Sequence, residues 1–250
     1  MQGRLLPPVE GKIQEFPPDW EREIGFIQNL GIKHLDWLIT STSLEKNPIF
    51  LMRKNSSVGS ICMDNVMDDN FYLPDFFYKN LFSPCQKLSS LGYTSFTIPL
   101  LEKSSIFRRK DKFLKFKSQI ENLSKSLPNV DFHFEVEKFD KNSRDLIYSR
   151  PNFYLVYDTG NVSDYYSNKS QIRIIKSYLE KIKIVHLKDK NERGTVPPGE
   201  GKVDFRGIFQ TLKLKREEIY YTIQTAREEE GREIETIRKH IKFLTKEYAE

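Results

Sequence analysis

The stretch at 153–187, FYLVYDTGNVSDYYSNKSQIRIIKSYLEKIKIVHL, sets two short apolar runs on either side of a longer segment of helical period. FYLVY at 153–157 and KIVHL at 183–187 are rich in β-branched and aromatic residues, as buried strands are. Between them, 169–179 repeats its apolar residues at helical spacing. A strand, a helix and a second strand in this order imply parallel pairing through a right-handed crossover.

The same alternation extends in both directions. Upstream strand candidates are 3–6, 33–38 (KHLDWL), 60–63, 94–99 (TSFTIP, after a break at Gly92) and 131–137 (DFHFEVE). Before 33–38, the segment 19–30 puts Trp20, Ile24, Ile27 and Leu30 on one face, with Asp19 placed to cap it and Gly31 to end it. A second helical segment runs over 111–127 and stops at Pro128. Downstream, IYYTIQ at 219–224 precedes a charged amphipathic helix over 228–248. Eight strand candidates, most followed by a helix, predict one α/β domain over 1–250, a single (β/α)8 TIM barrel. The first and third units are the weakest, since 3–6 is barely longer than a turn and 62–84 is irregular.

Composition narrows the setting. At 250 residues the chain suits one such barrel, and no Gly/Ser/Pro-rich linker divides it. Hydrophobic content of 38% with 13% aromatics argues against disorder. No apolar run approaches a membrane span, and the opening MQGRLLPP lacks the basic start and apolar stretch of a signal peptide. Cys62 and Cys85 form neither a CxxC pair nor a disulfide framework, so a cytoplasmic location is expected. The net charge of +5 lies largely in mixed runs such as KDKFLKFK at 110–117, which read as solvated helix faces rather than a nucleic-acid surface. It also suits a phosphorylated or carboxylated small substrate.

In barrels of this kind the working residues gather at the C-terminal ends of the strands. Here those ends carry Glu135 and Glu137, then Asp158 with Thr159, Gly160 and Asn161, then His186 with Lys188 and Asp189, then Gln224 with Arg227. One Glu, one Asp, one His and one Gln make a mixed oxygen and nitrogen ligand set, suited to Mn2+, Mg2+, Co2+ or Zn2+. Each residue also has an ordinary reading. Asp158-Thr-Gly-Asn is a possible Asx turn, His186 a buried core histidine, and one of the two glutamates a partner for a nearby lysine. Trp37 is placed either to wall a sugar pocket or to fill the lower core. PPGEG at 197–201 is too short for a P-loop and reads as a turn whose glycines let backbone amides approach an anion. His34 and His240 read as peripheral.

Four strings occur in order: MQGRLLPPVEGKIQEFP at the start, YDTGN at 157–161, HLKDK at 186–190 with PPGEGKVDF at 197–205, and IQTAR at 223–227. With these the chain resembles the sugar phosphate isomerase/epimerase group of the xylose isomerase-like TIM-barrel superfamily, nearly end to end. The resemblance implies a divalent metal held by Glu135, Asp158, His186 and Gln224, with Glu137 a rival for Glu135. It implies Glu135, Glu137 and Lys188 as candidate catalytic groups and Trp37, Asp189 and Arg227 as candidate pocket residues. The implied chemistry is proton transfer next to the carbonyl of a sugar or sugar phosphate, the metal steadying the enediolate. Many relatives use two metal-bound glutamates as base and acid. Gln224 departs from that pattern: an amide can bind a metal but cannot act as a carboxylate base.

Two other readings compete. A DNA-repair endonuclease on the same barrel needs several histidines for its zinc cluster, and this chain has four in all, with Asn161 where a further one is wanted. A degenerate barrel that only binds a sugar or a partner protein would accommodate Gln224. No nucleic-acid or membrane partner is expected, and self-association is left open.

Overall fold

Seven parallel strands form one curved sheet in the computed structural model, which describes residues 1–2, 5–7, 19–42 and 44–250. Helix α1 (Trp20–Asn29) leads into β1 (Leu35–Ile39), and β2 (Val58–Met63) follows. The irregular third unit holds α2 (Pro74–Phe77) and α3 (Ser83–Ser90) before β3 (Ser95–Leu100). Then come α4 (Phe113–Ser126), β4 (Asp131–Val136), α5 (Lys141–Ile147) and β5 (Phe153–Asp158). Next are α6 (Thr159–Ser163), α7 (Asn168–Tyr178) and β6 (Ile182–Leu187). A hairpin of β7 (Asp189–Asn191) and β8 (Gly194–Val196) precedes α8 (Phe205–Leu212), β9 (Tyr220–Ile223) and α9 (Glu233–Ala249).

The sheet order is β1-β2-β3-β4-β5-β6-β9, so the two edge strands face each other across a gap. Met1 and Gln2 fill it. Gln2 N–H donates to the Ile223 carbonyl at 3.4 Å, and Asp36 N–H donates to the Met1 carbonyl at 2.6 Å. The Met1 ammonium donates to the His34 carbonyl at 2.7 Å. Of the strand expected over 3–6, residues 3 and 4 lie outside the described residues. Leu5 and Leu6 form a bend. The barrel is thus a nearly closed α/β barrel of seven strands, with a two-residue stave in the eighth position.

Local expectations hold unevenly at the helix ends. Gly31 adopts φ 69° just past α1, as its place after the helix requires. Asp19 makes no side-chain capping bond, and its carboxylate lies 3.7 Å from Arg22 instead. The final helix starts at Glu233 rather than 228.

The core is the layer between sheet and helices. Along β4, Phe132, Phe134 and Val136 point outward and are buried, while His133 and Glu135 point inward. Phe153 meets both Phe132 and Phe134 edge-on, with centroids 6.0 and 5.0 Å away. Burying each such ring contributes roughly 1.5–3 kcal/mol. The inward side is polar: Ser60 and Thr97 hydroxyls lie 3.0 Å apart, and His133 Nε2 lies 3.1 Å from the Ser95 hydroxyl.

The loop after β6 is organised by one carboxylate. Asp189 is fully buried and accepts four backbone N–H groups, from Lys190 (2.9 Å), Gly199 (2.8 Å), Gly201 (3.0 Å) and Val203 (3.2 Å). The amides of the PPGEG turn do close on an anion, and it is the protein's own. A β-carbon at 201 would overlap Asp189 Oδ1. Gly201→Ala is therefore expected to lower stability by about 1–3 kcal/mol in urea unfolding. Gly25→Ala, in open space on α1, should raise it by roughly 0.5–1 kcal/mol.

The inward histidines give a pH signature. Burial pushes His133 down to about 3, with Lys183 adding to the shift. Burial, and then the Met1 ammonium, takes His34 down to about 4. Both are neutral when folded and gain a proton on unfolding below about pH 6.5. Stability should therefore fall as pH drops from 6.5 towards these values. His133→Gln should flatten that fall by up to about 1.4 kcal/mol per pH unit, measured by urea unfolding between pH 4 and 7.

Candidate metal centre

Three adjacent strands deliver one acidic or imidazole side chain each to the upper, C-terminal end of the barrel. Asp158 pairs in register with His186 across β5 and β6, and Glu135 pairs with Val156 across β4 and β5. Period-two alternation then points all three side chains inward. Their ligand-type atoms lie within 4.8 Å of one another, and all three residues are buried. His186 Nδ1 is 3.3 Å from Glu135 Oε2 and 3.9 Å from Asp158 Oδ2.

Neighbours hold each member in place. Asn161 donates its backbone N–H to Asp158 Oδ1 at 2.6 Å and its side-chain amide to Glu135 Oε1 at 2.9 Å. One residue thus orients two carboxylates. The Asx turn and the candidate ligand are therefore the same residue, Asp158, using different oxygens. Thr159 Oγ1 donates to the Lys188 carbonyl (2.6 Å) and accepts the Lys188 N–H (2.9 Å), tying α6 to the end of β6. Lys188 Nζ comes within 2.9 Å of Asp158 Oδ2, an ion pair without hydrogen-bond alignment. Its stem crosses Gly160, where a β-carbon would sit 2.7 Å from Lys188 Cγ.

Charges of both signs meet here: Glu135, Asp158 and Asp36 surround His186, with Lys188 beside Asp158 and the Met1 ammonium on the Asp36 side. Burial alone would lower the His186 pKa, but Glu135, Asp158 and Asp36 together raise it above the usual value. Burial alone would raise that of Glu135, yet His186 and Lys188 hold it below. Asp158 Oδ2 and both His186 ring nitrogens are buried without a hydrogen-bond partner. Such atoms are costly unless something fills the space between them. A divalent cation fits: it would satisfy a lone pair from each residue.

The remaining sequence-predicted residues spread out. Gln224 is buried just past β9, its N–H donating to the Leu187 carbonyl at 3.0 Å. It follows Thr222, which contacts the inward His34 at 3.4 Å, so alternation turns it to the same interior. Glu137 accepts from Glu102 N–H (2.7 Å), Ser105 Oγ (3.0 Å) and Arg108 Nε (3.0 Å), and so anchors the loop after β3. Trp37 is fully buried on the outer side of β1. It donates to Asn47 at 2.8 Å and packs edge-on against Trp20 of α1. Asp189 is taken up by its loop, as above. Arg227 donates to the Leu6 carbonyl at 2.6 Å and pins the N-terminal segment. His240 is buried between the Thr225 hydroxyl and Glu228, each 2.8 Å away.

The sequence reading passed over two features. Asp36 lies inside β1 with its Oδ2 3.8 Å from His186 Nε2. The signal was the spacing His34-x-Asp36, which puts two polar side chains on the inward face. Below them lies a cavity of about 420 Å3, lined among others by His34, Asp36, Ser60, Ser95, His133 and Tyr220.

Comparison with known proteins agrees with this architecture. A model of the family described as Xylose isomerase-like TIM barrel matches residues 120–247. The inosose dehydratase of Clostridium botulinum (strain Eklund 17B / Type B) is 36% identical over 78 residues, 24% of this chain. That match spans only about a quarter (26%) of the relative's length. An L-ribulose 3-epimerase structure superposes with a TM-score of 0.74 at 12% identity, covering 100% of this chain and 93% of the other. The IOLI protein with a bound zinc atom gives 0.68 at 14% identity, covering 91% and 93%. At these identities the structures speak to the fold alone. The family model takes in just over half the chain, including every strand that contributes to the Glu135, Asp158 and His186 cluster, and the chain belongs to the xylose isomerase-like TIM barrel family.

Proposed function

We propose that this chain is a divalent-metal-dependent isomerase or epimerase that moves a proton on the carbon next to the carbonyl of a sugar or sugar derivative. The observation that carries the reading is the convergence of buried Glu135, Asp158 and His186, with Asp158 Oδ2 and both His186 ring nitrogens lacking a hydrogen bond. Glu135, Asp158 and His186 hold the metal, with the Gln224 amide oxygen as fourth donor. The oxygen and nitrogen donors suit Mn2+, Mg2+, Co2+ or Zn2+. When bound, the metal polarises the substrate carbonyl as a Lewis acid.

The chain's own groups then set the limits. Glu135 is the carboxylate placed to take up a carbon-bound proton, and Asn161 keeps its Oε1 oriented. Lys188 supplies a positive charge beside Asp158 and a proton donor at the upper end of the barrel. Gln224 accepts no proton at neutral pH, so a carboxylate on the opposite substrate face is missing from this pair. That favours a one-base course. Glu137 serves at one remove, holding the loop after β3 beside the site. The match to an inosose dehydratase supports a second course from the same first step, in which proton removal is followed by loss of water rather than return of the proton. The substrate is a small molecule. No described helix is long and apolar enough to cross a membrane.

The purified protein should carry a stoichiometric divalent metal that an Asp158→Ala, His186→Ala double variant lacks, by elemental analysis. Metal-loaded protein should introduce solvent deuterium next to the carbonyl of at least one keto sugar in a broad panel. No exchange anywhere would remove the isomerase reading, and loss of water without returned product would favour the dehydratase. Gln224→Glu should tighten metal binding by about tenfold or more, because a fourth donor becomes charged; calorimetric titration with Mn2+ checks it.

A further inference from the structure

We propose that Asp36 is a positioning residue for this metal centre, holding the far edge of the His186 ring so that Nδ1 presents its lone pair towards Glu135 and Asp158. The inference rests on the metal reading above. His186 stands between two sets of carboxylates. Its Nδ1 faces Glu135 and Asp158 at 3.3 and 3.9 Å, and its Nε2 faces Asp36 Oδ2 at 3.8 Å. Both ring nitrogens and Asp36 Oδ2 are buried without a hydrogen-bond partner. A neutral imidazole accepts at one nitrogen and donates at the other. If Nδ1 is the ligand, Nε2 carries the hydrogen and calls for an acceptor in front of it, of which a carboxylate is the strongest. Asp36 Oδ2 occupies that position.

The surroundings keep Asp36 for this role. Its backbone N–H is tied to the Met1 carbonyl at 2.6 Å, so the N-terminal stave sets its height in the barrel. Its other oxygen, Oδ1, lies 4.0 Å from His34 Nε2, and that imidazole is kept neutral mainly by burial. The Met1 ammonium is the cation on this side. At 3.8 Å Asp36 and His186 are too far apart for a direct hydrogen bond. The carboxylate therefore acts through its field, strong in a buried setting, or through one bridging water. The cavity beneath is large enough for a small solute to reach Asp36 from the lower end of the barrel.

The test is a Co2+ titration of wild type, Asp36→Asn and Asp36→Ala, following the visible absorption bands of the bound ion and the far-UV circular dichroism. Both variants should bind Co2+ about 10–100-fold more weakly with altered bands and a native dichroism spectrum. Formate, small enough for the space vacated in Asp36→Ala, should restore part of the affinity there and change nothing in wild type. A merely structural role would not be rescued by a carboxylate. Affinity equal to wild type in both variants overturns the proposal, as does a loss in Asp36→Ala that formate leaves untouched. If Asp36→Ala does not fold, the isosteric Asp36→Asn decides by its affinity and bands. Absence of Co2+ binding in the wild type sinks the metal reading as well, whereas unaltered variants of a binding wild type sink this inference alone.

Discussion

The alternation of side chains along parallel strands is the constraint from which both the core and the site follow. On β4 the outward Phe134 and Val136 bracket the inward Glu135. On β5 and β6 the outward Tyr157 and Val185 precede the inward Asp158 and His186, which pair in register. Removing a carboxylate from water costs several kcal/mol even in a relaxed protein. That cost is offset because the same backbone drives rings such as Phe132, Phe134 and Phe153 into the layer beneath the helices. A slip of one residue would send the aromatics into the barrel and the ligand-type groups into the core layer.

Four of the buried carboxylates among the described residues, Asp189, Glu137, Asp158 and Asp36, are told apart by what fills their lone pairs. Asp189 and Glu137 are covered by N–H and O–H donors from nearby loops. Their charge is spent on fixing the backbone, much as a capping residue fixes a helix end. Asp158 and Asp36 each leave an oxygen without a hydrogen bond, and His186 leaves both nitrogens. These atoms lie around one centre, and nothing in the backbone answers them. A cation would answer them, while it would add nothing at Asp189. The distinction rests on hydrogen bonds rather than burial, since all four are almost wholly enclosed.

The upper and lower halves of the barrel are joined through the same residues. Met1 and Gln2 close the sheet where β1 and β9 fail to meet. That closure sets Asp36, and Asp36 faces the back of His186. Arg227, bound to the Leu6 carbonyl, holds the next part of the same segment. The end of the chain that looked least like a strand is therefore the piece that completes the wall behind the candidate metal centre.

Strand and helix order, the parallel sheet and the inward ligand-type residues could be read from the chain, because periods of 2 and 3.6 are local properties that each segment carries with it. Glu135, Asp158 and His186 stood out for the same reason: each interrupts or ends an apolar run. What local pattern left open was which lone pairs are filled, because hydrogen-bond partners come from distant parts of the chain. Glu135 and Glu137 share a sequence spacing, yet one faces His186 and the other is captured by a loop 29–35 residues upstream. Trp37 fits a pocket wall as well as a core until α1 is seen against it. Asp36 joins the site only because the curved sheet brings β1, far away in sequence, round to face His186 on β6. Closure of the barrel brings such residues together, and closure is a property of the whole sheet that no single strand encodes.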